Sequence, residues 1–239
     1  MSEIKYPITE IFTSPQGEGM FAGTLMTFIR FGGCSVGEPL QGPILHDIDG
    51  TETKNQAWQC CSALGSKFWC DTDFNTRAIL TREEILSHIP LDISHVCLTG
   101  GEPLMHLHKF SDPFGLFRLL ILNGKMIHIE TSGTVDFTVD IPSNLEFQRS
   151  HFWITVSPKI GVLPQCLVKA DEIKLLVDKD FNFKEAQKLV KDARGLVYLQ
   201  PINQEKDLNA DNIRHCLEWQ KHAPSWRISL QVHKILQCR

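Results

Sequence analysis

The sequence predicts an α/β protein with a sheet of parallel strands in one domain over residues 1–239, with an irregular insertion at about 35–66. Three observations predict it. Strand-like apolar segments alternate with helix-like ones, the pattern of βαβ units around a parallel sheet. Nearly every strand-like segment ends in small, polar or charged residues, at the end where parallel sheets collect ligands. Four of the eight cysteines, Cys34, Cys60, Cys61 and Cys70, fall in one stretch after the first long strand.

The opening segment, residues 7–25, carries apolar Ile8, Ile11 and Phe12. Ser14-Pro15-Gln16-Gly17-Glu18-Gly19 then breaks any regular element. Two glycines beside a proline make a tight turn whose backbone N–H groups are able to face a ligand. Met26 to Phe31 reads as the first strand and runs into Gly32-Gly33-Cys34. Residues 35–66 have no sustained periodicity and are rich in Gly, Pro and Asp, so they are expected to be irregular; a loop this long in a compact domain is usually functional. Thr81-Arg82-Glu83-Glu84 is a capping box that starts a short helix through Ile89.

Further along, His95 to Leu98 leads into Thr99-Gly100-Gly101-Glu102-Pro103, and Phe114 to Leu122 follows as a helix. His106-x-His108 lacks an acidic partner and reads as a solvated helix start. Met126 to Ile129 ends in Glu130-Thr131-Ser132-Gly133, and Phe152 to Val156 ends in Ser157-Pro158-Lys159. Glu172 to Val177 precedes a helix around Phe183–Leu189. Leu196 to Leu199 ends in Gln200-Pro201, and a last helix spans Ile213 to Gln220. Trp226 to Gln231 is the final predicted strand, ending in His233-Lys234. With so many polar strand ends directed to one rim, a ligand site there is the better reading than a set of plain turns.

At 239 residues the chain is long enough for a full core, and 42% hydrophobic with 22% charged residues is ordinary for a soluble globular protein. A net charge of −4 argues against a broad nucleic-acid footprint. The first residues carry no secretory h-region and no run approaches a membrane span, so a cytoplasmic, reducing home is expected, without disulfides. Cys97, Cys166, Cys216 and Cys238 are expected in the core, where cysteine behaves as a small apolar residue. Thiolates in the first loop point instead to a soft metal or an iron–sulfur cluster. Three of them would hold four irons and leave one iron open. Structural zinc is the alternative, but it favours CxxC knuckles and none occurs.

With these motifs in view, the sequence resembles the radical S-adenosylmethionine (SAM) enzymes, and among them the 7-carboxy-7-deazaguanine synthases. The similarity runs from Glu10-Ile11-Phe12 through Cys34, Cys70-Asp71-Thr72, TGGEP, ETSG, SPK and Gln200-Pro201-Ile202 to Trp226-Arg227 and Gln231-x-His233-Lys234, covering nearly everything outside 35–66. GGE and the cysteine loop are common to many radical SAM enzymes. The opening EIF-x-S-x-QGEG and closing WR-x-S-x-Q-x-HK are more specific. The resemblance implies a partial, TIM-like (β/α) barrel of parallel strands, paired as a homodimer, with a 4Fe-4S cluster, SAM and Mg2+, the cluster reduced by an external donor of flavodoxin or ferredoxin type. Reductive cleavage of SAM would give a 5′-deoxyadenosyl radical that takes hydrogen from 6-carboxy-5,6,7,8-tetrahydropterin. Ring contraction with loss of ammonia would then give 7-carboxy-7-deazaguanine, a queuosine precursor.

Residue by residue, the resemblance assigns Cys34 and Cys70 to the cluster and Thr72 to magnesium. It assigns Trp69, Asp71, Gly101, Glu130, Ser132, Ser157, Pro158, Lys159, Gln200, Pro201, Ile202 and Asn203 to the cofactor side. Pro15, Gln16, Gly17, Glu18, Arg30, Thr99, His233 and Arg239, the last through its carboxylate, fall on the pterin side. Arg30 suits a bidentate grip on a carboxylate, or else a structural ion pair. The chain departs from the family where CxxxCxxC is expected, with Glu38 and Lys67 at two of the cysteine positions. Pro15 also replaces a commonly apolar residue and Val232 a commonly polar one. The insertion must supply the middle ligand, either Cys60 or Cys61. Cys61 is favoured because it leaves the shorter loop to close before Cys70. Two other functions compete with this one: a radical SAM enzyme acting on another heterocycle or on a partner protein, and a zinc-binding barrel that is an interaction protein rather than an enzyme.

Overall fold

The structure, a computed structural model, describes residues 4–39, 45–46, 52–53, 58–70, 72–73, 75–107, 115–137, 149–203 and 208–238. Its strands are β1 (Lys5–Pro15), β2 (Leu25–Phe31), β3 (Trp58–Cys61), β4 (Lys67–Cys70), β5 (Ala78–Thr81), β6 (His95–Gly100), β7 (Met126–Thr131), β8 (Phe152–Val156), β9 (Glu172–Val177), β10 (Leu196–Pro201) and β11 (Arg227–Ile228). Nine of them form one open sheet in the order β11-β10-β9-β8-β7-β6-β2-β1-β5. From β2 to β11 every pairing in that sheet is parallel, as the alternation of strands and helices predicts.

The edge beyond β2 differs from the prediction. The opening segment is an eleven-residue strand, β1, antiparallel to both β2 and β5. Its apolar alternation is interrupted by a register shift between Ile8 and Glu10. A bulge of this kind breaks the period-2 pattern by which a strand is recognised. The final strand is correspondingly shorter than expected. Only Arg227–Ile228 pair with β10, and Val232–Leu236 coil into a short helix that carries His233.

The helices are α1 (Arg82–Ser87), α2 (Leu116–Leu122), α3 (Pro164–Lys169), α4 (Phe183–Leu189), α5 (Ala210–His222) and α6 (Val232–Leu236). The capping box at α1 is present: Glu84 N donates to Thr81 Oγ1 at 3.2 Å, and Thr81 N donates to Glu84 Oε2 at 2.7 Å. Asn182 and Asn209 cap α4 and α5 through their side-chain oxygens, which accept from Glu185 N and from Asp211 N and Asn212 N. Phe114, placed by the sequence at the start of α2, lies outside the described residues, and α3 was not anticipated.

Alternation along the parallel strands divides their side chains between two faces. Ile127, Ile129, Ile154, Ile173, Leu175 and Leu199 join the main core with Ile85, Leu116 and Leu120 from the helices. The other face carries a smaller apolar cluster of Met26, Phe28 and Cys97, flanked by Phe12 and Phe21. It also carries His128, Glu130 and Lys174. Near the amino ends, Phe21 sits edge-on to His128 and Trp153, and His95 Nδ1 lies 2.8 Å from His128 Nε2. Burial, then the neighbouring His95, holds His128 down to about 3, so its ring stays neutral. Cys97, Cys166 and Cys216 are fully buried as expected, whereas Cys238 is partly exposed.

The insertion is less irregular than its composition predicts. β3 and β4 form an antiparallel hairpin, with Glu38–Pro39 pairing on β3, and Leu45–His46 pair with Glu52–Thr53. The hairpin is joined to the loop after β8. Ala63 N donates to Pro158 O at 3.0 Å and Ile160 N to Cys61 O at 3.1 Å, with a bridge between Ser62 and Lys159.

Candidate functional site

The rim at the carboxyl ends of the strands is built around two turns laid against each other. After β2 the chain turns through Gly33 and Cys34. Gly101 and Glu102 donate from their backbone nitrogens to Phe31 O at 3.2 Å and Gly33 O at 3.1 Å. A Cβ on Gly101 would stand 1.6 Å from Gly33 O, so this contact exists only because the position is glycine. Glu102 is fully buried and faces away from solvent. Its carboxylate accepts from Thr131 Oγ1 at 2.8 Å, Leu104 N at 3.2 Å, Ser132 N at 2.9 Å and Ser132 Oγ at 2.5 Å. The GGE turn is thereby clamped to the ETSG turn after β7. His106 completes the support: its Nε2 donates to Gly32 O at 2.7 Å and its ring stacks on Phe31. This corrects the expectation of a solvated helix start; His108 lies outside the described residues.

Cys34, Cys60 and Cys70 line one cavity with the rim. In the hairpin Trp58 pairs with Cys70 and Cys60 with Phe68, so Cys60 and Cys70 share a face as diagonal neighbours. Diagonal pairs of this kind stand about 7–8 Å apart. Cys61 pairs with Lys67 and belongs to the opposite face. The sequence favoured Cys61 on loop length; the hairpin register brings Cys60 to Cys34 and Cys70 instead. Burial pushes the Cys60 thiol up to about 11; the Lys159 ammonium opposes this, and Cys70 and Cys34 add to it. Among the described residues no group of three or more His, Cys, Asp or Glu closes around a single-ion point. Three thiols spread around one cavity fit a cluster, which presents several metal atoms to ligands on different sides.

The cavity, about 380 Å³, has a charged floor. Lys174 on β9 reaches Glu18 Oε2 at 2.5 Å and Glu130 Oε1 at 3.5 Å. Glu18 Oε1 also accepts from Gln200 Nε2 at 3.1 Å and Gln231 Nε2 at 3.0 Å. Burial drives the Glu18 carboxyl up, but Lys174, Gln231 and His233 outweigh it and hold it at about 2. Glu130 accepts from Thr99 Oγ1 at 2.9 Å and Gln16 Nε2 at 3.3 Å. Gln200 Oε1 is buried with no hydrogen-bond partner among the described residues, an acceptor left for a ligand's hydroxyl or amine.

Arg30 stands over the Phe12 ring and pairs through Nε with Glu10 Oε1 at 3.0 Å. The guanidinium carries further N–H donors beyond Nε. Of the two uses expected of Arg30, the ion pair is present, and the same side chain also lines the cavity. Gly17 touches His233 so closely that a Cβ would lie 2.0 Å from its Nδ1, and Val232 N donates to Gly17 O at 2.9 Å. These contacts join α6 to the Gln16-Gly17-Glu18 turn. On the far wall, Lys159 Nζ donates to Ser157 Oγ at 2.7 Å and stands over the Phe68 ring.

Of the residues expected at the site, the cavity is lined by Cys34, Cys70, Thr72, Gly101, Glu130, Ser132, Ser157, Lys159 and Gln200 to Asn203. Pro15 to Glu18, Arg30, Thr99 and His233 line it as well. Cys61 and Pro158 do not line it. Asp71, Arg239 and the Trp69 side chain lie outside the described residues. Sequence reasoning missed Lys174, whose only signal was a charge alternating with apolar residues in Glu172-Ile173-Lys174-Leu175. It also left Gln231 and the Phe12–Phe28 stack without a role at the site; the two rings are 5.2 Å apart.

A mostly parallel open sheet whose carboxyl-end rim holds three thiols beside carboxylates, hydroxyls and amides is the architecture of a radical SAM enzyme. No family model matches the chain. The 7-carboxy-7-deazaguanine synthase of Synechocystis sp. is 31% identical over 246 residues, 99% of this chain and 95% of its own. That of Escherichia coli K12 is 31% identical over 255 residues, 98% of this chain and 99% of its own. Among solved structures, QueE from Escherichia coli superposes with a TM-score of 0.63 at 30% identity, covering 95% of this chain and 94% of that one. The chain belongs to the 7-carboxy-7-deazaguanine synthase family.

Proposed function

We propose that this chain converts 6-carboxy-5,6,7,8-tetrahydropterin to 7-carboxy-7-deazaguanine with release of ammonia. The observation that carries this is one cavity shared by Cys34, Cys60, Cys70, the Gln16-Gly17-Glu18 turn, Arg30, Thr99 and His233. A 4Fe-4S cluster with SAM, when bound, supplies the 5′-deoxyadenosyl radical that starts the reaction; the protein's part is binding, orientation and shielding. Cys34, Cys60 and Cys70 hold the cluster. Glu130, Ser132, Ser157 and Gln200 take the hydroxyl, amino and carboxylate groups of SAM. Gln16 and Glu18 take the mixed donor edge of the pterin, and Arg30 takes its carboxylate. Thr72, a neutral hydroxyl oxygen lining the cavity, would serve as a protein ligand for Mg2+, a hard cation that takes oxygen donors. The cluster, when bound, would take its electron from an external one-electron donor, and the working form would be a homodimer.

Anaerobic reconstitution with iron and sulfide, followed by assay of 5′-deoxyadenosine and deazaguanine product, tests this assignment. Both products are expected. Deoxyadenosine without deazaguanine would move the chain to another radical SAM substrate, and zinc without sulfide would remove the chemistry altogether. Arg30→Ala is expected to lower kcat/KM for the pterin about 10- to 100-fold, the worth of a charge-assisted hydrogen bond or two. Uncoupled SAM cleavage should persist in that variant. Loss of both activities together would mark Arg30 as a structural partner of Glu10 only.

A further inference from the structure

We propose that Lys174 is a positioning residue that ties the two ligand subsites together, one ammonium serving as the common counter-charge of Glu18 on the pterin side and Glu130 on the SAM side. This rests on the function proposed above. The two carboxylates come from distant parts of the chain, the turn after β1 and the end of β7. Among the described residues the cation they share, Lys174, stands in the middle of β9 with only 7% of its side chain exposed. The arrangement closes into a ring. Gln16 Nε2 donates to Glu130 at 3.3 Å, Glu18 N donates to Gln16 Oε1 at 3.2 Å, and Lys174 joins the two carboxylates. Moving either carboxylate therefore pulls on the other through the lysine.

Removing the ammonium leaves two carboxylates in a buried site with hydrogen bonds but no shared cation. The other charged or titratable groups around the pair are Glu172 on the same strand, Lys159 after β8, His233 on α6, and Cys97 on β6 with Arg30 beyond it. Lys159 carries its own hydrogen bonds to Ser157, and Arg30 is paired with Glu10, so neither replaces Lys174. With Lys174 present, Glu18 is held at about 2 and is ionised at every working pH. Without it, burial is the largest influence left and raises the carboxyl. The ionised form then becomes scarcer as pH falls.

The test is equilibrium binding of 6-carboxy-5,6,7,8-tetrahydropterin to anaerobic holoenzyme between pH 6 and 9, alongside the ratio of deoxyadenosine to deazaguanine formed. Relative to wild type, Lys174→Met is expected to bind the pterin about tenfold or more weakly at pH 6, recovering toward pH 9, as expected for losing a charge-assisted contact. Its deoxyadenosine-to-product ratio should rise. Lys174→Arg should restore the wild-type pH profile. If Lys174→Met does not fold, Lys174→Gln removes the same charge with a hydrogen-bonding side chain and carries the same expectations. A loss that is equal at all pH values, or no change, would reduce Lys174 to a core residue. Wild-type holoenzyme that binds no pterin would instead overturn the proposed function, and this inference with it.

Discussion

Cys60→Ala is expected to abolish retention of the iron–sulfur cluster and all deoxyadenosine formation, while Cys61→Ala keeps both. The two residues are adjacent in sequence and opposite in space. In the hairpin of Trp58–Cys61 with Lys67–Cys70, Cys60 shares a face with Cys70, and Cys61 shares the other with Lys67. A four-iron cluster held by three thiolates has no spare protein ligand, so removing one leaves two protein thiolates to anchor the four-iron, four-sulfide core. After anaerobic reconstitution, iron and acid-labile sulfide should fall from about four per chain to less than one in Cys60→Ala, with the cluster's visible absorption lost and, after one-electron reduction, its low-temperature electron spin resonance signal lost too. The opposite result, iron kept in Cys60→Ala and lost in Cys61→Ala, would mean that the hairpin pairs one residue out of this register. Such a slip reverses every side chain of a strand. It would have to break the bonds of Cys61 O to Ile160 N and of Ala63 N to Pro158 O in the loop after β8.

Glu102→Gln is expected to be the most damaging substitution that leaves the shape of a residue unchanged. Among the described residues the Glu102 carboxylate has four hydrogen-bond partners, and all are donors: two hydroxyls and two backbone amides. An amide in its place turns one acceptor oxygen into an NH2 group that faces donors, and the site is fully buried. A buried donor left without an acceptor, together with the loss of charge-assisted bonds, costs about 3 kcal/mol or more. For a chain of this length that lowers the melting temperature by about 6–12 °C. Because Ser132 is held by both its nitrogen and its hydroxyl, the variant should also bind SAM more weakly. A melting temperature within a degree of wild type would show that Glu102 does not clamp the two turns.

How much of this was legible in the sequence depended on the element. Parallel strands whose apolar runs end in Gly, Ser, Glu or Lys declare themselves, because burial on one face and solvent or ligand at the end impose different residue types. Thr81 and Glu84 declared a helix start through chemistry confined to four residues. β1 was not legible, since its bulge breaks the alternation, and neither was the hairpin, whose strands are four residues each within a stretch rich in Gly, Pro and Asp. His106 was misplaced because its partners, Gly32 O and the Phe31 ring, are remote in sequence.

From residues alone, then, came the parallel sheet, the rim on which its strand ends converge, and most of the groups that line the cavity. These rest on local pattern, and local pattern is written in order along the chain. The choice of Cys60 over Cys61, the inward clamp of Glu102 and the sharing of Lys174 between Glu18 and Glu130 were decided only in three dimensions. Each depends on which way a side chain leaves its strand and on what a distant segment places opposite it. Strand register and long-range pairing set both, and a difference of one residue in register exchanges the two faces.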